Sequence, residues 1–155
     1  VLWFVREIFP RIREKCPVNF YIVGSRATEE IQALHSPDNG VIVKGFVSDE
    51  ELERLYQSCR LVVVPLRYGA GVKGKVVEAI YNGAPIVTTS VGSEGIPEVE
   101  DILVVEDKPE SFADAVIRLY TDEKELLRLS EGTQEYIRRH FSIDAAWEVI
   151  REDFE

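Results

Sequence analysis

The apolar and polar positions of the chain follow two periods, one typical of strands and one typical of helices. Short apolar runs predict five strands, at residues 18–23, 41–43, 61–64, 86–88 and 102–105. Apolar residues spaced three or four positions apart predict helices at residues 1–16, 28–34, 48–58, 75–82, 109–120, 122–140 and 142–155. Strands that alternate with helices predict an α/β protein with a doubly wound parallel sheet and extra helices at its C-terminal end.

Local signals mark where several of these helices begin, bend and end. Ser48, with Glu51 three residues later, forms a capping box, which predicts a helix start at Ser48. Gly83 and Pro85 predict the end of the helix before them, because neither residue favours its continuation. Pro10 lies inside the first predicted helix and removes one backbone donor, so we expect a kink there.

The glycine-rich loop at residues 65–74, between the third strand and its helix, is the most distinctive part of the chain. Main-chain N–H groups in such a loop, together with the start of the following helix, favour an anion. Three glycines and three cationic side chains lie together here: Gly69, Gly71, Gly74, Arg67, Lys73 and Lys75. Glu78 follows Lys75 by about one helical turn and brings a carboxylate close to that anion. Two plainer interpretations stay open: glycines that only make a tight turn, and a surface ion pair between Lys75 and Glu78.

Composition narrows the choice of ligand and of compartment. The 155 residues suit one domain, and their 28 acidic against 18 basic side chains give a net charge of −10. This balance argues against a nucleic-acid partner, which needs a broad basic surface, so any phosphate site must be local. No apolar run reaches the ~20 residues that span a bilayer. Cys16 and Cys59 predict buried, reduced thiols of a cytoplasmic protein, and neither His35 nor His140 has a partner at metal-ligand spacing, so we expect no metal site.

The glycine loop and its surroundings carry a family resemblance. The segment PLRYGAGVKGKVVEAIYNGAPIVTTSVGSEGI resembles the C-terminal, nucleotide-sugar-binding domain of GT-B glycosyltransferases, in the large retaining group named glycosyl transferases group 1. The segments VNFYIVGS, VIVKGFVSDEELERLYQSCRLVVVPLR and SFADAVIRLYTD occur in the order that this family shows. The similarity covers residues 1–141 as one Rossmann-like domain, and residues 142–155 are expected to form a helix that docks elsewhere.

The resemblance implies an enzyme that moves a sugar from a nucleoside diphosphate sugar, its donor substrate, to an acceptor hydroxyl. It also implies retention of configuration, a role in polysaccharide or glycoconjugate synthesis, and no cofactor besides the donor. The acceptor would be held by an N-terminal domain, through which we also expect peripheral association with a membrane. Two other hypotheses stay open: a non-catalytic nucleotide-binding module that regulates or scaffolds a partner, and an unrelated α/β protein whose glycine loop is structural.

Family domains of this kind begin with a glycine-containing strand at the centre of the sheet, and Val1 falls just after its position. The resemblance therefore implies a sheet without its first strand. Three explanations stay open: a sheet that tolerates the gap, a second chain that fills it, or further residues in the natural polypeptide.

By the resemblance, Lys75 and Glu78 are the residues with a direct part in catalysis. Glu78 matches the second carboxylate of the family's paired-glutamate motif, which binds the ribose hydroxyls. The first carboxylate of that motif falls on Ala70, which departs from the family pattern. We expect the N–H groups of Ala70, Gly71 and Val72 to face the donor sugar or the distal phosphate instead.

Lys73 and Lys75 are the phosphate-binding candidates, beside Gly69 and Arg67. A solvated loop lysine is an equal alternative for Lys73. For Arg67, a structural salt bridge under the loop is the favoured alternative.

A second group of candidates follows the first two predicted strands. Gly45, Phe46 and Val47 match the segment on which the family's nucleotide base rests, chiefly through main-chain groups. For the side chain of Phe46, an ordinary core position is the favoured alternative. Gly24 and Ser25 are expected to line the same crevice, and Ser25 as a helix N-cap stays open.

Overall fold

The computed structural model describes residues 1–141, and the predicted helix at residues 142–155 lies outside the described residues. The strands are β1 (Phe20–Val23), β2 (Val41–Gly45), β3 (Val62–Val64), β4 (Ile86–Thr88) and β5 (Leu103–Val105). The α-helices are α1 (Phe9–Lys15), α2 (Glu29–Gln32), α3 (Asp49–Ser58), α4 (Gly74–Tyr81), α5 (Ser90–Ser93), α6 (Pro109–Thr121) and α7 (Glu123–His140). Within residues 1–141, no helix combines the length and apolar character needed to cross a bilayer.

All the strand pairs are parallel, which confirms the predicted α/β class, and the strands divide into two sheets. One sheet pairs β1 with β2, and the other has the order β3-β4-β5. A cleft of about 530 Å³ lies between β1 and β3. The resemblance implies a gap at the centre of the sheet, and the cleft lies between the two observed sheets.

The two sides of this cleft are strand edges. The N–H groups of Phe20 and Gly24 donate to Gly40 and Gly45, at 2.7 and 2.9 Å, on the β2 side of β1. Because successive peptide groups of a strand point in opposite directions, the N–H groups of Tyr21 and Val23 point away from β2, and both residues line the cleft.

An aromatic cluster forms the core beneath the first sheet. The ring of Phe4 lies 4.6 Å from that of Phe20 and 5.8 Å from that of Phe112, measured between centroids. Phe4 and Phe112 are buried, so the helical segment before α1, which contains Phe4, packs on α6 through these rings. A second cluster joins Val76 and Ile80 of α4 to the sheet that contains β3.

A π-helical turn precedes Pro10, where a kink was expected. Residues Phe4–Ile8 are π-helical, and the N–H of Phe9 donates to the carbonyl of Phe4, five residues back. Pro10 then occupies the first turn of α1. A widened turn suits this position, because a proline inside a regular helix lacks a donor and its ring collides with the carbonyl four residues earlier.

The observed helix caps agree with the sequence signals except at two positions. The Ser48 hydroxyl accepts from the N–H of Glu51 at 3.2 Å, so the predicted cap is confirmed. The Glu51 carboxylate, however, meets Lys44 Nζ at 2.6 Å, and the capping box is only half formed. The N-cap of α2 is Thr28, so the alternative of Ser25 as a helix cap is wrong.

Candidate functional site

The glycine loop leaves the carboxyl end of β3 and is anchored there by two threonines. The Thr88 hydroxyl donates to the carbonyl of Val64 at 2.8 Å, and the Thr89 hydroxyl donates to that of Leu66. Both threonines are buried, and they follow one another at the end of β4. The start of the loop is therefore held by side chains of the neighbouring strand.

The middle of the loop has a backbone that only glycine adopts easily. Gly69 has a φ of 129° and Gly71 a φ of 71°. The main-chain hydrogen bonds among residues 1–141 include none donated by the N–H groups of residues 69–75. These N–H groups and the first turn of α4 therefore offer donors to an anion, as the sequence predicts.

Lys73 is not a solvated loop lysine, so that alternative is wrong. Its side chain is only 10% exposed, and its ammonium meets a carboxylate oxygen of Glu94 at 3.2 Å. The same ammonium donates to the carbonyl of Gly71. The charge of Lys73 is thus directed into the protein at the base of the loop.

Lys75 and Glu78 lie exposed on α4, one turn apart. The ion pairs formed within the described part of the chain do not join them to one another, which removes the surface-pair interpretation. Glu78 lies near Tyr56: burial first, and then the charge of Glu78, raises the pKa of Tyr56 to about 12.

Glu78 opens onto a depression of about 660 Å³. Val72 of the glycine loop and Tyr81 of α4 line the same depression, and their side chains are 59% and 73% exposed. Glu78 is therefore an exposed residue at the edge of an open depression beside the loop.

Arg67 contacts an aromatic ring rather than a carboxylate. Its guanidinium carbon lies 5.5 Å from the centre of the Trp3 ring, and the structural salt bridge considered for it is not among the ion pairs of residues 1–141. This cation–π contact brings the cation at the start of the loop to the beginning of the first helical segment.

The second group of candidates lies at the carboxyl ends of β1 and β2. The N–H of Gly24 donates to the carbonyl of Gly45 at 2.9 Å, and Gly45 has a φ of 68°. The side chain of Phe46 is 78% exposed, so its interpretation as an ordinary core residue is wrong. Val47 is half-buried. Among the described contacts, no hydrogen bond or ion pair joins this group to the glycine loop.

The structure adds residues to which the sequence analysis gave no role, although the loop that contains Glu94 was expected near the donor. Glu94 pairs with Lys73, and Gly95, with a φ of 75°, packs against Val72. Thr88 and Thr89 lie at the end of a buried strand, and this position is the sequence signal that could have marked them as residues near the site. A hydroxyl there can reach the neighbouring strand, but its partner is 23 or 24 residues away in the chain.

The cysteines and histidines have mostly structural surroundings. Cys16 is buried as expected, but Cys59 is exposed, so the prediction of a buried thiol is wrong for Cys59. His35 accepts a hydrogen bond from the N–H of Val43 at 3.1 Å and so provides a partner for this main-chain donor of β2. In residues 1–141, no three metal-binding side chains come together.

Two proteins of longer sequence are similar to this chain. One is an uncharacterized glycosyltransferase, MJ1607, of Methanocaldococcus jannaschii, with 38% identity over 127 residues, 77% of this chain and 32% of that protein. The other is an uncharacterized 44.6 kDa protein in the cps region of Klebsiella pneumoniae, with 32% identity over 101 residues, 61% of this chain and 26% of that protein. The matched region is thus about a third or less of each relative.

A solved structure supports the fold, and a family model supports the family. A point mutant of S. aureus TarM, in complex with Fondaparinux, alpha-GlcNAc-glycerol and UDP, matches 95% of this chain and 30% of its own, with a TM-score of 0.74 and 20% identity. This likeness confirms the Rossmann-like, GT-B type of fold that the resemblance implied. The model of the family described as glycosyl transferases group 1 matches residues 1–122. The chain belongs to the glycosyl transferases group 1.

Proposed function

We propose that this domain binds a nucleoside diphosphate sugar and forms the donor half of an enzyme that transfers the sugar to an acceptor hydroxyl. One observation carries the proposal: Glu78 is exposed to open space one turn along α4 from a loop whose N–H groups are free to bind an anion. We place the diphosphate at the loop and the ribose at the carboxylate.

The diphosphate is the leaving group of such a transfer and gains negative charge as the sugar departs. Fixed N–H groups of Ala70, Gly71 and Val72 and the ammonium of Lys75 are suited to stabilise that charge. A preorganised donor of this kind contributes on the order of 3 kcal/mol to the transition state. Because these groups are held before the ligand arrives, little reorganisation is needed during the reaction.

The remaining candidates would hold the nucleoside end. The exposed Phe46 and the main chain of Gly45 and Val47 lie at the carboxyl end of β2, where ligands of parallel α/β sheets bind. We assign them to the nucleotide base, and we assign the ribose hydroxyls to Glu78.

Retention of configuration, polysaccharide or glycoconjugate synthesis and a cytoplasmic place of action belong to this proposal. The name of the Klebsiella relative places that protein in a cps region, and the TarM complex contains UDP. Both facts favour a uridine nucleotide and a polysaccharide product as the first to be tested. The acceptor would be held by a separate N-terminal domain.

Calorimetric titration of the 155-residue chain tests the donor site. UDP, GDP and ADP should be compared with the corresponding nucleosides, and we expect one diphosphate to bind and to raise the thermal stability of the domain. If none of the three diphosphates binds, the donor-site proposal fails.

A second candidate function is a regulatory module that binds a nucleotide without transferring a sugar. Ala70 favours it, because a carboxylate is lost where the family pattern has one for the donor sugar. The two functions differ in their response to the sugar. A donor half should bind one nucleoside diphosphate sugar better than others with the same nucleotide, whereas a nucleotide-only module should bind all of them equally.

A further inference from the structure

The side chain of Lys73 folds back along its own loop. Its Cε lies 3.4 Å from the place that a Cβ on Gly69 would take, and its ammonium donates to the carbonyl of Gly71. The side chain is only 10% exposed, so its contact with water is limited. A charge in that position needs a partner, because desolvation of an ammonium is costly.

The partner comes from the segment after β4. Glu94 places a carboxylate oxygen 3.2 Å from Lys73 Nζ. The next residue, Gly95, packs on the loop itself: a Cβ there would lie 3.2 Å from Val72 Cγ2 and 3.4 Å from the Val72 nitrogen. The segment around Glu94 therefore touches the loop twice, once through the ion pair and once through main-chain packing.

We propose that Glu94 is a positioning residue which acts through Lys73 to hold the glycine loop in the conformation that presents its N–H groups to the diphosphate. Lys73 serves as the link between Glu94 and the Gly71 carbonyl and is not a phosphate-binding cation. That role is left to Lys75, which is exposed on the first turn of α4. This inference rests on the proposed donor site.

The direction in which one substitution changes the affinity for UDP distinguishes this positioning role from a purely electrostatic one. Glu94 is negative and close to the loop, so its removal should strengthen the binding of a negative diphosphate if only charge mattered. If Glu94 instead holds the loop, Glu94→Ala weakens binding although it removes a repulsive charge. We expect UDP to bind about tenfold more weakly to Glu94→Ala, as for a coupled pair whose loss costs about 1.4 kcal/mol.

The experiment is a calorimetric titration of the 155-residue chain with UDP and with uridine. Glu94→Ala is compared with Glu94→Gln, Lys73→Met and the double variant, and Glu100→Ala is the control because it removes an exposed charge from the same region. We expect the loss to fall on UDP rather than uridine, to be smaller in Glu94→Gln, and not to increase in the double variant. Unchanged or tighter UDP binding by Glu94→Ala, or additive losses in the double variant, would overturn the proposal.

A second measurement works without ligand and separates the two proposals. Trypsin cleaves after lysine, and the bond between Lys73 and Gly74 is protected while the Lys73 side chain is held by Glu94. In a limited digest analysed by mass spectrometry, Glu94→Ala should be cut at this bond several times faster than the wild-type chain or Glu100→Ala. Equal rates would contradict the positioning role, whereas a failure of the wild-type chain to bind any nucleotide would contradict the proposed function alone.

Discussion

The hydroxyl of Thr88 donates a hydrogen bond of 2.8 Å to the main-chain carbonyl of Val64, and this bond joins β4 to β3 at the point where the glycine loop begins. The side chain of Thr88 is fully buried. Gly92 lies against it, since a Cβ on Gly92 would fall 1.9 Å from the Thr88 hydroxyl oxygen. The base of the candidate site is thus a packed contact between three segments.

Thr88→Val should destabilise the domain by about 1 kcal/mol, because it removes a buried hydrogen bond and keeps the shape of the side chain. The loss is limited, since the Val64 carbonyl also accepts from the N–H of Leu66 at 2.9 Å. Urea denaturation measures the free energy of unfolding. The control is Thr121→Val at the exposed end of α6, for which we expect a change within about 0.5 kcal/mol. Equal effects of the two substitutions would argue against the role given to Thr88.

Gly92→Ala should cost more, about 2 to 3 kcal/mol, because the added methyl group forces the buried Thr88 side chain to move. Gly74→Ala is the matched control: a Cβ there meets no atom within 4 Å, and alanine is the better helix former. We expect Gly74→Ala to be neutral or mildly stabilising in the same urea experiment. A Gly92→Ala variant as stable as the wild-type chain would show that the segment after β4 can shift to make room for the methyl group.

The pKa of Tyr56 gives a pH test of where Glu78 lies. Burial first, and then the charge of Glu78, raises the pKa of Tyr56 from 10.0 to about 12. Between these values the unfolded phenol loses its proton while the folded one keeps it, so the stability present below pH 10 is lost as the pH rises towards 12. We expect a steeper fall of unfolding free energy in this window for the wild-type chain than for Tyr56→Phe.

Glu78→Gln should lower the pKa of Tyr56, and the value should stay raised because burial is the larger cause. Ultraviolet titration of the phenolate measures it, with Tyr56→Phe to identify the signal among the six tyrosines. An unchanged titration of Tyr56 in Glu78→Gln would place the carboxylate away from the phenol.

Lys75 and Glu78 should affect different parts of the ligand. Glu78→Ala is expected to weaken both UDP and uridine by about 1 to 3 kcal/mol, because the ribose loses a charged hydrogen-bond acceptor. Lys75→Ala should weaken UDP more than uridine, because only the diphosphate meets the ammonium. Calorimetry measures both, with Lys124→Ala as a control for the loss of an exposed positive charge. If Lys75→Ala weakened the binding of UDP and of uridine equally, Lys75 would not contact the diphosphate and would only support the helix.

The strand edges beside the cleft predict self-association of the 155-residue chain at high concentration, since open edges pair readily with other strands. Tyr21→Pro should reduce it: the N–H that it removes points away from β2, so the β1–β2 pairing is retained. Tyr21→Ala keeps the N–H and is the control. Analytical ultracentrifugation measures the effect, and equal association of the two variants would exclude this edge as the contact.

Much of the local structure follows from the chain alone. The cap at Ser48, the end of α4 before Gly83 and the five strands depend on residues a few positions apart, and their prediction is confirmed. The predicted start of α4 differs from the observed one by a single residue, because Lys73 rather than Gly74 takes the cap position.

Contacts over long sequence distances could not be predicted in this way. Lys73 and Glu94 are 21 residues apart, and nothing in the spacing of either residue indicates that the ammonium of one pairs with the carboxylate of the other. Phe46 is apolar and follows a strand, which favours a core position, but it extends into solvent after the left-handed turn at Gly45.

The sequence by itself determined the glycine-rich loop and the place of Glu78 one turn along the helix, because both depend on backbone geometry over fewer than about ten residues. It also determined the class of fold, which follows from the alternation of strand and helix patterns along the chain. Only the tertiary structure decided which lysine is drawn into an ion pair and which is exposed, and that the strands divide into two sheets. Those outcomes depend on which segments pack together, and burial and charge pairing between distant segments are properties of the folded chain as a whole.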